Sequence, residues 1–475
     1  MQPRLRLGLS LVENSIRGTV NGIDHSKLEE TALSYLWMPT QDWTELAEDG
    51  ITVMTEAKGV HIKDSKGNWG FDGVAGLMLV NVGHGRQEIV DAISAQLNTL
   101  HYANTFKFPA APTIKFAEKI ASLTPGNLNR TYFTSGGSEA VETALKIAYR
   151  YHYNRNEPQR KKFIGREGSY HGTTRGALSV STSSYLDRPS YSEILPDNFI
   201  MAPQPYYYRR NNAALTHSEF SIDCAKAIEN IILEEGPETI AGVIAEPVSF
   251  SAGVAVPSND YWPMLREICD RYGVLLIADE VITGWGRTGK WFAVDHWEVT
   301  PDIMTMAKGI TSGYFPVGAC VVTDSVFEYF KGDTDKTYRH GITYGGHPGG
   351  AAAGLANVAI MEREGLIENS AKMGQLMLDQ LNALVDHPTV GDIRGLGLMC
   401  AVELVSDKET KEPLSDNSKA IKLLNQKMTE GGLYTRANRQ VFFAPPLSVT
   451  ESDITQMVQI FAESLSATEH SLGLG

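Results

Sequence analysis

At 475 residues the chain is too long for one small domain and can bury a large core, in two or three lobes. Its 42% apolar and 21% charged content is ordinary for a soluble globular protein. The formal charge of −14 argues against nucleic acid or an anionic membrane as the main partner.

The N-terminal stretch MQPRLRLGLSLVENSIRG has a brief apolar patch but neither the h-region nor the cleavage site of a signal peptide. No segment approaches transmembrane length, so a cytoplasmic protein is expected. Cys224, Cys269, Cys320 and Cys400 are far apart and suit free thiols in a reducing compartment. With no HExxH, CxxC or EF-hand spacing, no metal is expected. VMTEAKGVHIKDSKGNWGFDG reads as alternating strands around a KGN turn. Ile89, Val90, Ile93 and Leu97 have helical spacing within 81–98. RTYFTS (Arg130–Ser135) reads as a strand running into Gly136-Gly137-Ser138 and the helix EAVETALKIAYRYHY. Strand and helix then alternate through KKFIGREGSYHG, ETIAGVIAEPV, DYWPMLREICDRYG and VGACVVTD, which predicts a mostly parallel sheet covered on both faces. After Thr343 come an Ala-rich helix and short strands such as GLMCAVELV and VFFAPPL, as in a smaller α+β lobe.

The stretch Val274 to Gly309 organises the rest. GVLLIADEV is an apolar run ending in two acids, and reads as a buried parallel strand with Asp279 at its tip. DIMTMAKGI places Lys308 at the end of a second run. Ligands of open α/β sheets sit outside the carboxyl ends of the strands, so the carboxylate and the amine would face one crevice. The pair suits pyridoxal phosphate, with a lysine for the Schiff base and an acid to keep the pyridine nitrogen protonated; a structural ion pair is the plainer reading.

Other motifs carry similar alternatives. Gly137 and Ser138 at a helix start suit a phosphate, or Ser138 is a plain N-cap. The GxGxxG match from Gly284 to Gly289 is a decoy, because DEVIT separates it from the strand and KWFAV follows it. Either ring of Tyr170-His171 suits stacking on a planar cofactor, or packing. Arg436, just before VFFAPPL, is a surface arginine unless the small lobe closes over the crevice, where it would clamp a carboxylate.

In this order, GLMLVNVGHG, FTSGGSEAVETALKIA, YHG, AEPV, LLIADEVITGWGRTG, TMAKGITSGYFPVGA, GITYGGHP and RGLGLM resemble class III aminotransferases, the ω-transaminase family, from LWMP at residue 36 to PPLSVTESDI. The resemblance implies the fold type I pyridoxal-phosphate architecture: α/β, with a large domain built on a mostly parallel seven-stranded sheet (71–345), a smaller α+β domain (346–475), and residues 1–70 packing with the latter. It implies that Lys308 bonds the cofactor and Asp279 pairs with its ring nitrogen, with Val281 and Tyr170 on the two faces. Gly137 and Ser138 would hold the phosphate, Thr343 would reach the phosphate of a neighbouring subunit, and His171 and Glu246 would lie near the ring. A homodimer or tetramer follows.

Within the family, TSGYFPVGA looks most like the amine, β-alanine or taurine:pyruvate branch, with Arg436 as the movable arginine that accepts the carboxylate of pyruvate or alanine. Where 4-aminobutyrate and ornithine enzymes carry a glutamate for that arginine, EPVSFSAG has Ser251. Met78 replaces a tryptophan of several amine transaminases. Trp37, Met78, Phe106 and Tyr170 are expected pocket walls, with Phe106 crossing from the partner. The expected reaction moves an amino group from a primary amine or ω-amino acid to pyruvate or another 2-oxo acid by a ping-pong mechanism. A 4-aminobutyrate, diaminopelargonate or decarboxylating aminotransferase is the alternative on the same scaffold. A non-catalytic pyridoxal-phosphate sensor would want a basic helix-turn-helix extension, for which the chain has neither charge nor domain.

Overall fold

A computed structural model describes residues 25–415 and 418–473, so the N-terminal MQPRLRLGLSLVENSIRG stretch lies outside the described residues. The first strands are β1 (Met54–Lys58), β2 (His61–Asp64) and β3 (Trp69–Asp72), an antiparallel meander with its turn at the expected KGN. The apolar runs of the middle of the chain become β4 (Leu128–Thr134), β5 (Lys162–Arg166), β6 (Phe199–Ala202), β7 (Ile240–Ala245), β8 (Leu275–Asp279), β9 (Ile303–Met306) and β10 (Gly318–Thr323). They form one seven-stranded sheet in the order β4-β10-β9-β8-β7-β5-β6. Only β10 runs against its neighbours; the other pairs are parallel.

Every residue of β7, β8, β9 and β10 is buried, as expected of strands covered on both faces. One cover is the helix Gly137–Asn154, whose Ala140, Val141, Ala144, Leu145 and Ala148 recur at helical spacing and pack toward β9 and β10. The helix Tyr261–Tyr272 ends at Gly273, which takes the left-handed conformation (φ 64°) and turns the chain directly into β8.

The C-terminal lobe contributes β11 (Val390–Gly395), β12 (Cys400–Asp407), β13 (Glu412–Pro413), β14 (Leu433–Tyr434) and β15 (Gln440–Phe443). β14 leaves its neighbours and pairs in parallel with β3, so the N-terminal meander is completed by the far end of the chain. The Ala-rich helix Pro348–Arg363 packs on the helices Gln87–Thr99 and Ala111–Leu123 of the large lobe. No helix among the described residues is long and apolar enough to cross a membrane.

One expectation shifts. The helix predicted over 81–98 begins only at Gln87, because Asn81 and Val82 are engaged elsewhere: the Asn81 amide donates to Trp285 O (2.7 Å) and Val82 N–H to Ser312 Oγ (3.2 Å). Of its apolar positions Ile89 is buried, whereas Val90 and Leu97 are exposed. The glycine-rich stretch 284–289 is buried packing. Arg287 is fully buried and donates to Leu398 O (2.9 Å), Pro445 O (2.6 Å) and Asn81 Oδ1 (2.9 Å), sewing three distant segments together. Burial lowers its pKa to about 9. Gly289 has φ 86°, and a Cβ there would stand 2.8 Å from Ala371 Cβ. Gly289→Ala is therefore expected to cost roughly 1–3 kcal/mol, from strain and overpacking together. Denaturant unfolding measures it; an unchanged midpoint would contradict the packing role of this stretch.

Candidate active site

Five of the parallel strands end on the same edge, and each delivers residues to one cavity of about 200 Å³. β8 ends in Asp279 and β7 is followed by Glu246; β5 leads to Tyr170 and His171, β4 to Gly137 and Ser138, and β9 to Lys308. This is the crevice expected beyond the carboxyl ends of an open sheet.

Asp279 is buried and held from three sides. Its Oδ1 accepts from the Thr305 hydroxyl (2.9 Å) and from Val281 N–H (3.1 Å), and its Oδ2 lies 2.6 Å from His171 Nδ1. Thr305 is the direct cross-strand partner of Asp279 in the β8–β9 register. Successive side chains at a strand tip face opposite ways, so the second acid of the pair turns from the cavity. Glu280 Oε1 accepts from Val294 N–H (2.9 Å), and burial pushes its carboxyl up to about 7.

His171 is buried between two acids, with Nε2 3.8 Å from Glu246 Oε2. Burial opposes the imidazolium, but Glu246 and Asp279 outweigh it and raise the His171 pKa. Burial likewise opposes the Glu246 carboxylate, and His171 and Arg166 overcome it and lower its pKa. Glu246 also accepts from Tyr170 N–H (3.2 Å) and the Ser249 hydroxyl (3.0 Å). His171 thus braces Asp279 through its ring nitrogen, and both His171 and Tyr170 line the cavity.

Lys308 sits two residues past β9, in a left-handed conformation (φ 47°) that few residues other than glycine adopt. The turn is gripped from behind. Asn357, fully buried in the helix Pro348–Arg363, donates to Gly309 O (2.9 Å) and Ile310 O (3.3 Å), while its Oδ1 accepts from the Ser312 hydroxyl (2.6 Å). Burial lowers the Lys308 amine to about 8, and the Asp279 charge only partly offsets this.

The helix Gly137–Asn154 starts at the cavity without a side-chain cap, so its first N–H groups are available to an anion. Its N-cap is Gly136; Ser138 lies inside the helix and does not cap it, contrary to the plain N-cap reading. Ser138 Oγ instead accepts from Thr173 N–H (3.1 Å). A Cβ at Gly137 would stand 3.1 Å from Val281 Cγ1, so a side chain there would crowd the close approach of these two walls.

The remaining expected residues lie outside this cavity. Met78 is in the core at 8% exposure, and its neighbour Leu77, 65% exposed, lines the cavity instead. The cause is the non-helical turn there (Gly76 φ 68°, Met78 φ 55°), which turns Met78 inward. Trp37 is 86% exposed on an irregular segment. Phe106 is 72% exposed and packs beside Gly341. Thr343 is exposed on the same surface, where its carbonyl accepts from the Tyr102 hydroxyl (2.9 Å). Arg436 is exposed in a separate cleft, its guanidinium 5.5 Å from the Tyr185 ring centroid.

Sequence reasoning missed Thr305, Asn357 and Leu77. The first two had a signal, each being a lone polar residue in an otherwise apolar strand or helix face. With the amine lowered to about 8, Lys308 is unprotonated and nucleophilic above that pH. Its modification by a small aldehyde with reductant, read by peptide mass spectrometry, should rise with a midpoint near pH 8. A midpoint at the ordinary lysine value would contradict the desolvated setting.

Residues 46–465 match the family model for class-III aminotransferases. A putrescine–pyruvate aminotransferase of Pseudomonas aeruginosa is 38% identical over 434 residues, covering 90% of this chain and 94% of that enzyme. A taurine–pyruvate aminotransferase of Bilophila wadsworthia is 38% identical over 435 residues, covering 89% and 94%. An ω-transaminase of Pseudomonas jessenii, solved in complex with PMP, superposes with a TM-score of 0.90 at 34% identity, covering 94% of this chain and 99% of that one. The chain belongs to the class III aminotransferases, pyridoxal-phosphate enzymes that act on amines and oxo acids.

Proposed function

We propose that this enzyme moves an amino group from a primary amine or ω-amino acid to pyruvate, giving alanine, in two half-reactions of a ping-pong cycle. The residues at the strand ends fit pyridoxal phosphate: an uncapped helix start for the phosphate, a glycine-cleared wall at Gly137, an amine at Lys308 and a braced carboxylate at Asp279. When bound, the cofactor supplies an aldehyde that condenses with amines and a ring that takes up the electron pair released at the donor carbon.

The chain's own groups do the rest. Asp279 presents a fixed negative charge that favours a protonated ring nitrogen, and Thr305, Val281 N–H and His171 keep it aimed. Lys308 is the nucleophile that holds the cofactor and, once displaced by the donor amine, the base that takes the proton from the donor carbon. An amine lowered to about 8 suits both tasks near neutral pH. Val281 and Tyr170 would hold the ring between them, and Leu77 and Phe250 would shape the substrate space.

The observation that carries the choice of pyruvate is Arg436. Among the described residues no carboxylate pairs with its guanidinium, which rests over Tyr185 instead. Ser251, where a pairing glutamate is found in sister activities, donates its hydroxyl to Gly168 O (3.0 Å). An arginine with no carboxylate partner among the described residues suits the carboxylate of pyruvate or alanine and can move aside for amines that lack one. The relatives named for putrescine and taurine with pyruvate support this reading.

We further infer a homodimer, with Phe106, Phe108 and Tyr344 exposed on one surface beside Thr343, so that Thr343 reaches the partner's phosphate. The three-part division at residues 70 and 345 belongs to the same reading, with the helix Pro348–Arg363 bridging the two lobes. Four free, buried cysteines suit a cytoplasmic setting.

Arg436→Ala should raise the KM for pyruvate and alanine by about 10–100-fold, the worth of a charge-assisted bidentate contact, and leave aldehydes and simple amines within about twofold. Steady-state kinetics on the two substrate classes decides. Equal losses on both would rule out the carboxylate role.

A further inference from the structure

Arg436 is exposed, on the loop between β14 and β15, and the backbone beneath its side chain is fixed. The Asn425 side chain brackets the next residue, accepting from Ala437 N–H (2.8 Å) and donating to Ala437 O (2.8 Å). Asn438, two residues on, donates to the Tyr185 hydroxyl (2.9 Å) and accepts from Gln440 N–H (3.0 Å). The loop that carries Arg436 therefore also anchors the ring on which the guanidinium rests. A cleft of about 510 Å³, bounded by Tyr185, Asn425 and Arg436, leaves the side chain room to swing.

Both segments are tied to the wall of the Lys308 cavity. On one side, Thr182 and Ser183 N–H donate to Ser169 O (2.9 Å each), and Ser181 Oγ accepts from His171 N–H (2.8 Å). On the other, the Thr435 hydroxyl donates to Phe442 O (2.6 Å), and Phe442 stacks at 4.4 Å on Phe250, which lines the cavity. Arg436 and Tyr185 thus stand on two segments that are each tied, through Phe442 and through Ser169 and His171, to the cavity wall.

We propose that Tyr185 is a specificity-determining residue: its ring is the outer rest of Arg436 and competes with the substrate carboxylate for the guanidinium. This rests on the carboxylate role of Arg436 stated above. A ring that holds the cation outside lowers the share of enzyme ready to bind a carboxylate, and the apparent affinity falls by that share. The same ring keeps the cation clear of the space that a donor without a carboxylate needs. Tyr185 thereby sets the balance between the two substrate classes that one enzyme must bind in turn.

The test is steady-state kinetics of the cofactor-loaded enzyme with Tyr185→Leu, Tyr185→Phe, Arg436→Ala and the double variant Tyr185→Leu/Arg436→Ala. In Tyr185→Leu the pyruvate KM should fall about two- to fivefold, the worth of an exposed cation–π contact, while the KM of a monoamine without a carboxylate moves less. Tyr185→Phe keeps the ring and should keep the wild-type ratio. In the Arg436→Ala background the leucine change should no longer alter the pyruvate KM. An unchanged pyruvate KM in Tyr185→Leu, or a fall that persists without Arg436, would overturn the proposal. If Arg436→Ala alone spares pyruvate, it is the carboxylate role that fails; if it harms pyruvate while Tyr185→Leu is silent, only the resting place fails. Tyr185→Met, bulky without an aromatic face, repeats the measurement if the leucine variant does not fold.

Discussion

A buried carboxylate is costly unless its charge is shared, and Asp279 is where this fold meets that cost. The Thr305 hydroxyl and Val281 N–H satisfy one oxygen and His171 the other, with Glu246 and Arg166 continuing the chain of charge behind it. The bracing comes from strand register: β9 lies beside β8 with Thr305 opposite Asp279, and the loop after β5 brings His171 across from the far side. The proposed chemistry at this edge of the sheet rests on that one side chain being held buried and aimed.

Lys308 poses the complementary problem. Burial lowers its amine to about 8, and its backbone takes a left-handed conformation that costs energy. The surrounding segments determine the turn from several directions. Asn357 binds the two carbonyls after the lysine, Ser312 joins Asn357 to Val82, and Asn81 lies against Gly309 while bonding Trp285 and Arg287. The buried glycine-rich stretch and the Ala-rich helix, neither of which touches the cavity, meet at the back of the lysine turn.

The sheet, its direction and the pair Asp279–Lys308 were legible because each is written locally, as an uninterrupted apolar run with a charge at its end. The helix start at Gly137 was legible for the same reason, although Ser138 proved to be inside the helix rather than at its cap. The pocket walls were not. Whether Leu77 or Met78 faces the cavity depends on a positive-φ turn, which periodicity does not report. Thr305 and Asn357 act across strand register and between lobes, at sequence distances of 26 and 45–48 residues from their partners. Phe106 and Thr343 lie exposed outside the cavity, and the pattern of one chain does not report what covers them.

The most direct measurement loads the protein with pyridoxal phosphate, reduces it with borohydride and maps the labelled peptide. The geometry at the strand ends predicts one stable secondary amine per chain, on Lys308 Nζ, and none in Lys308→Ala. Label confined to another lysine, or an unlabelled Lys308 in fully loaded protein, would contradict the assignment of this crevice as the catalytic centre.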